Sequence, residues 1–190
     1  MKLNFFARPT PASTLRALYG AIVAQARNPV FYRSYRVPDT VDGRFDMIVL
    51  HLSLFLHRTE SGDDRLRRLG QGVFDLFCAE MDGHMRETGV GDLAVPKRMQ
   101  AVVEGFYGRH RAYGAGLAAN EGTGLAAAIA RNVYGRPEGG PDLPAGRLAT
   151  YMREAARRLA AQQDFAQGIV WPDAQAMAGR ASSHATETMP

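Results

Sequence analysis

The sequence contains one cysteine, Cys78, among its 190 residues. A single cysteine excludes a disulfide within the chain and favours a reducing compartment such as the cytoplasm. The sequence also lacks any uninterrupted run of about 18 apolar residues, which is what a helix needs to cross a bilayer. Its first residues lack the apolar stretch of a secretory signal. We therefore expect a soluble protein of the cytoplasm.

The chain also lacks a large excess of charge of either sign. The chain has 23 basic and 19 acidic residues, which gives a formal net charge of +4. A nucleic-acid-binding protein would mass its basic residues on one face, whereas the arginines here lie in separate segments, each near acidic residues. This pattern argues against recognition of nucleic acid sequences, and it suits an anionic partner slightly better than a basic one.

Signals for β-strands are weak, because β-branched residues are few and alternation of apolar and polar residues is never sustained. Apolar residues recur instead at helical spacing along most of the chain. The sequence therefore predicts an all-α protein, a single-domain bundle of six to seven helices with mixed crossing angles. We expect a flexible N-terminus over residues 1–12, a helical domain over 13–172 that begins with Ser13 as N-cap, and a flexible tail over 173–190.

The most apolar segment is "YRVPDTVDGRFDMIVLHLSLFLHR", residues 35–58. From about Val41 to Arg58 it is apolar on nearly every side, which is typical of a central helix surrounded by others. It carries two histidines, His51 and His57. Ligands on one helix face lie three or four positions apart, and these two do not. We expect both to be polar residues in a packed interior.

A helical metal- or haem-binding enzyme is the alternative hypothesis. Its candidate ligands are His51 and His57 together with Glu80 and His84, which share a face of the next predicted helix. Metal-binding bundles repeat such a motif on two helices, and no second copy is found. No Cys-x-x-Cys-His haem attachment occurs, and neither a Gly-x-Ser-x-Gly elbow nor a phosphate-binding loop is present. We expect no catalysis and no cofactor.

Two polar stretches can each be interpreted in two ways. One precedes the central helix and runs from Pro38 to Asp46. The second runs from Met81 to Tyr113 and joins two predicted helices through glycines. Helix capping and surface ion pairs would account for both stretches, and so would a polar and aromatic surface that recognises another protein.

These stretches resemble a known family. The segments "YRVPDTVDGRFDMIVLHLSLFLHR", "MDGHMRETGVGDLAVPKRMQAVVEGFYGR" and "GLAAAIARNVYG" are similar to the ubiquinol–cytochrome c chaperone domain. Its members are assembly factors of ubiquinol–cytochrome c reductase in mitochondria and alphaproteobacteria. The similarity runs from about Tyr19 to Trp171, and the compact length resembles the bacterial branch.

The resemblance implies an assembly chaperone that binds newly made cytochrome b. The mitochondrial members work with a small partner protein and associate with the ribosome, so the resemblance suggests these partners too. Such a chaperone needs exposed apolar surface ringed by polar groups, and methionines adapt to varied apolar partners, although an apolar stripe at helical spacing is more often core. The residues that we expect at the partner-binding surface are Pro38, Asp39, Arg44, Asp46, Met81, Met85, Arg86, Asp92, Lys97, Arg98, Phe106 and Tyr107.

The basic members of that set have a second predicted role. Lys and Arg side chains near an anionic leaflet each contribute ~1 kcal/mol of attraction to lipid headgroups. We therefore expect peripheral contact with the inner membrane in addition to the contact with cytochrome b.

Overall fold

The structure is a computed structural model that describes residues 10–119, 123–135 and 144–179. These ranges contain no strand, and they form a single helical domain, which confirms the predicted all-α bundle. The main helices are α1 (Ala12–Ala26), α2 (Pro29–Arg33), α3 (Val41–Glu60), α4 (Asp64–Glu87), α5 (Val95–Ala118), α6 (Gly124–Val133) and α7 (Pro144–Ala161).

Helix α3 lies at the centre of the bundle and packs against α1, α4, α5, α6 and α7. Every residue from Asp46 to Leu56 is buried. Burying one large apolar side chain contributes about 1.5–3 kcal/mol, so this segment alone supplies a large share of the apolar stabilisation. The prediction of a central helix surrounded by others is thereby confirmed.

Helices α5 and α6 approach each other closely at Gly116. A Cβ atom added there would lie 2.7 Å from the Cα of Leu125, a distance that real Cβ atoms do not reach. The absence of a side chain at this position therefore sets the separation of the two helices. Small residues of α6, such as Ala128 and Ala130, are buried along the same helix.

The ends of the domain differ from the prediction. Helix α1 begins at Ala12, and the residue at the N-cap position is Pro11 rather than Ser13; no side chain caps this end. Backbone bonds hold the first turn, since the amide of Thr14 donates to the carbonyl of Pro11. Residues 1–9 of the predicted flexible N-terminus lie outside the described residues.

The predicted flexible tail over 173–190 is wrong for its first residues. Residues 174–179 are helical, and Ala174 and Ala178 are buried. The hydroxyl of Tyr35 donates to the carbonyl of Ala174 over 3.0 Å, which ties this segment to the turn before α3. The small residues of this segment resemble a polar linker in sequence, but small side chains can also pack closely in a folded domain. Residues 180–190 lie outside the described residues.

The sequence predicts that no segment crosses a membrane, because a spanning helix must be both long and apolar. Among the described helices, none combines the two to the degree that crossing a bilayer requires.

Candidate functional site

The first polar stretch folds as a turn that packs on the first turn of α3. The amide of Gly43 donates to the Thr40 hydroxyl over 3.1 Å, which makes Thr40 the N-cap of the helix. A Cβ atom at position 43 would lie 2.0 Å from the carbonyl oxygen of Pro38. Only glycine permits this close approach, so the capping interpretation accounts for Thr40 and Gly43.

The exposed residues of this turn carry a separate ion pair. Arg44 donates to the Asp39 carboxylate over 2.7 Å, and this bond holds the pKa of Asp39 below its usual value. Pro38 is exposed beside them. An exposed ion pair contributes little stability, so these side chains are available to a partner at small energetic cost.

The two polar stretches are joined by an ion pair between α3 and α5. Arg109 donates to the Asp46 carboxylate over 3.1 Å, and the two residues are 63 positions apart in the sequence. The side chains are 12% exposed for Asp46 and 28% exposed for Arg109. Burial raises the pKa of Asp46, and the nearby positive charge of Arg109 opposes that shift. Asp46, which we expected at the surface, is therefore a buried link between helices.

The junction between α4 and α5 is held by Arg86, which donates to Asp82 over 2.7 Å and to Asp92 over 2.6 Å. Helix α4 ends where Gly89 adopts a φ of 82°, and the amide of Val90 donates a hydrogen bond to the carbonyl of Met85. Such a motif closes a helix and leaves its last carbonyls bonded. The chain beyond it therefore leaves α4 in a defined direction.

Leu93 follows this junction and is 99% exposed. The preceding Asp92 is anchored to Arg86, and α5 begins two residues later at Val95, which is fully buried. A fully solvated leucine between two anchored points presents its side chain outward. At the start of α3, Val41 is also 83% exposed.

Aromatic rings connect α4 and α5. The Phe106 ring lies 5.0 Å from that of Phe74 and 5.8 Å from that of Phe77. Phe106 is 1% exposed, whereas its neighbour Tyr107 is 44% exposed. The expectation that Phe106 contributes to an exposed patch is therefore wrong, because the aromatic rings of α4 pack against it. Tyr107 lines a shallow concavity on the outer face of α5, together with Gly108 and Arg111.

The predicted partner-binding residues divide into three groups by burial. Two, Asp46 and Phe106, are buried, and Met81 and Met85 are half-buried, Met81 being packed against the core. Lys97 and Arg98 make no ion pair within the described ranges. The exposed members are Pro38, Asp39, Arg44, Arg86, Asp92, Lys97, Arg98 and Tyr107.

Sequence reasoning missed Leu93, Val41 and Arg109. Leu93 lies in a turn and Val41 at a helix start, where hydrophobic periodicity gives no information about exposure. The partner of Arg109 is on another helix, so no local spacing indicates it. We use the term client surface below for the exposed residues at the junction of α4 and α5, which are Arg86, Leu93, Lys97 and Arg98.

The candidate ligands of the alternative hypothesis do not form one site. No three His, Cys, Asp or Glu side chains are grouped for a metal ion in the part of the chain that the structure describes. His51 is fully buried, whereas Glu80 and His84 are exposed on α4. His57 lines a cleft beside α7.

Both ring nitrogens of His51 are engaged within the core. Nδ1 lies 2.8 Å from the Met47 carbonyl, which can only accept, so Nδ1 carries the proton. Nε2 then accepts from the hydroxyl of Tyr151 over 3.0 Å. Burial lowers the pKa of His51 to about 4. The ring is a neutral, hydrogen-bonded core residue, as the sequence predicts.

Comparison with known proteins gives a family match and a structural neighbour. A family model described as ubiquinol-cytochrome C chaperone matches residues 33–171, a range that includes both polar stretches. The crystal structure of the Cbp3 homolog from Brucella abortus matches with a TM-score of 0.75 and 37% sequence identity, over 86% of this chain and 91% of that chain. No curated protein matches significantly.

Proposed function

Because this chain belongs to the ubiquinol–cytochrome c chaperone family, we propose that it is an assembly chaperone of ubiquinol–cytochrome c reductase that binds newly made cytochrome b. It acts by reversible binding and carries out no catalysis. The match over residues 33–171 is the observation that carries this proposal.

The client surface has the composition that such a role requires. Leu93 supplies exposed apolar area, Lys97 and Arg98 supply charge near it in sequence, and Arg86 holds the junction through its two ion pairs. Burying a leucine side chain in a partner contributes about 1.5–3 kcal/mol. Surrounding polar groups exclude water from such a contact. We infer that Leu93 is the principal apolar contact with cytochrome b.

Charge on the same surface supports contact with the membrane in which cytochrome b is inserted. Lys97 and Arg98 are exposed, and neither is neutralised by an ion pair among the described residues. Each contributes about 1 kcal/mol of attraction to an anionic leaflet. We propose that the chaperone is cytoplasmic and meets the inner membrane peripherally. A small partner protein and the ribosome, with which mitochondrial members work, are further candidate partners.

The test is complementation of a strain that lacks the gene. We expect the deletion to lower assembled ubiquinol–cytochrome c reductase, and we expect tagged wild-type protein to restore it and to recover cytochrome b in a pull-down. Leu93→Asp should reduce that recovery about tenfold, since it places a charge in the apolar contact.

Val170→Asp is the matched control, because Val170 is 57% exposed and lies outside both polar stretches. It should recover cytochrome b as the wild type does. Normal assembly of the reductase in the deletion strain would contradict the proposed function. Equal recovery by both aspartate variants would contradict the choice of surface only.

A further inference from the structure

A second concavity lies between the C-terminal half of α3, the end of α5 and the middle of α7. Its volume is about 420 Å³, within the range of about 300–1,000 Å³ that small ligands occupy. Leu54 and Leu117 supply apolar area, and the polar lining includes His57 and three arginines, Arg58, Arg153 and Arg157. We call it the arginine cleft. It shares no lining residue with the concavity at Tyr107.

Backbone carbonyls orient two of the arginines. Arg58 donates through Nε to the Leu159 carbonyl over 2.9 Å and through Nη2 to the Gln162 carbonyl over 2.8 Å. Arg153 donates through Nη1 to the carbonyl of Ala119 over 3.1 Å. A guanidinium has five N–H donors, so each group keeps donors beyond these bonds. These bonds therefore position both side chains and leave further N–H donors for a ligand.

Those bonds leave most of the positive charge in place. A carbonyl carries no net charge, and the partial negative charge of a helix C-terminus is only about half an elementary charge. The third arginine, Arg157, shares the Glu154 carboxylate with Arg158, at 2.8 Å and 2.7 Å. Of the three lining arginines, Arg58 and Arg153 therefore keep their formal positive charges, whereas Arg157 is paired with a carboxylate. None of the lining residues is acidic.

We propose that the arginine cleft binds the phosphate group of a small ligand whose apolar part packs on Leu54 and Leu117. Arginine groups recognise phosphate by paired hydrogen bonds, and the His57 ring supplies a further polar contact. Helix capping explains the positions of Arg58 and Arg153, but it gives no role to the excess charge. A phosphate carries the opposite charge and the acceptor oxygens that the remaining donors require.

Phosphate could come from a lipid headgroup or from a soluble phosphate ester, and the experiment separates these sources. Calorimetry with inorganic phosphate and glycerol 3-phosphate tests the soluble source. Cosedimentation with phosphatidylcholine vesicles, with and without phosphatidylglycerol, tests the headgroup. We expect saturable binding of the wild-type chain in at least one arm. The double variant Arg153→Gln, Arg157→Gln should weaken it at least tenfold, because it removes two charge-assisted contacts.

Arg158→Gln is the matched control. Arg158 lies on the same helix as Arg157 and contacts the same Glu154 carboxylate, but it does not line the cleft. The affinity of this variant for the phosphate probes should stay within about twofold of the wild type. Thermal unfolding checks that every variant is folded. Lys97→Gln with Arg98→Gln removes the charge of the client surface and should leave the calorimetric binding of soluble phosphate unchanged, while it weakens the general attraction to anionic vesicles.

Two results would overturn the proposal. One is the absence of saturable binding by the wild-type chain to all of these probes. The other is a loss as large as that of the Arg153 and Arg157 variant, either in the Arg158 variant or, with the soluble probes, in the Lys97 and Arg98 variant. General surface charge would then explain the binding. Either result leaves the assignment of the client surface intact, because that assignment is tested on cytochrome b.

Discussion

The two ends of α3 use arginine in opposite ways. At the N-terminal end, Arg44 has its own carboxylate in Asp39, and Arg109 of α5 has its own in Asp46. At the C-terminal end, Arg58 is bonded to carbonyls. An arginine paired with a carboxylate is neutralised, whereas an arginine held by carbonyls keeps its charge. The type of acceptor thus indicates which end is free to bind an anion.

The largest effect is expected from Gly43→Ala at the N-terminal end. The new Cβ would lie 2.0 Å from the Pro38 carbonyl oxygen, so the turn must move and the Thr40 cap is lost. Overpacking costs about 1–3 kcal/mol and a lost cap about 1 kcal/mol. We expect the free energy of unfolding to fall by ~3 kcal/mol in urea denaturation.

Gly83→Ala in α4 is the control for that variant, because a Cβ there meets no atom within 4 Å. Alanine favours a helix by about 1 kcal/mol over glycine, so Gly83→Ala should be neutral or stabilising. If both variants are equally stable, the close approach of Pro38 to α3 does not hold in solution.

The middle of α3 contains a buried histidine, His51, which makes the free energy of unfolding depend on pH. The folded-state pKa of His51 is lowered to about 4, while an unfolded histidine titrates near 6.5. The unfolded chain therefore binds more protons between these values, and the free energy of unfolding falls as pH falls through that window. We expect a loss of ~2 kcal/mol between pH 7.5 and pH 5, from 1.36 kcal/mol per pKa unit.

His51→Gln isolates that contribution, since an amide can donate to the Met47 carbonyl and accept from Tyr151 without titrating. Urea denaturation at each pH should show a flatter profile for this variant than for the wild type. Parallel profiles would mean that His51 does not carry the acid sensitivity.

Removing one charge from the buried pair at the N-terminal end tests its structural role. Asp46→Asn leaves Arg109 without a counter-charge in a site that is 28% exposed. Breaking a fully buried pair costs about 3–5 kcal/mol, and access of water to Arg109 reduces this to about 2 kcal/mol. Asp39→Asn, which breaks an exposed pair, should change stability little. Equal effects of the two variants in urea denaturation would contradict the difference in burial.

The smallest effect is expected in the turn that leads into α3. Arg36 has a φ of 59°, a region that costs about 1–2 kcal/mol for a residue with a Cβ. Arg36→Gly relieves that strain but makes the unfolded chain more flexible, so stability should change by less than ~1 kcal/mol. Arg68→Gly in α4 should cost about 1 kcal/mol. A larger loss at position 36 than at position 68 in thermal unfolding would exclude the left-handed conformation.

Local sequence predicted well where burial and spacing are set by neighbouring residues. The apolar segment after Val41 indicated a central helix, and the placement of His51 in the core followed from it. The Thr40 cap and the Arg44 contact to Asp39 lie within five residues, and the capping interpretation covered that stretch. The partner of Asp46 lies 63 positions away, so only the packing of α5 on α3 reveals it.

The composition and periodicity of this chain determined its helices and its apolar centre, because both depend on residues close in sequence, and the resemblance of its extended motifs indicated its family. Only the tertiary structure decided which charges are neutralised. Hydrogen bonds that span 63 residues for Asp46 and Arg109, and 101 for Arg58 and Leu159, require the helices to pack together. That packing leaves the exposed leucine at position 93 and gathers three arginines from α3 and α7 around one cleft.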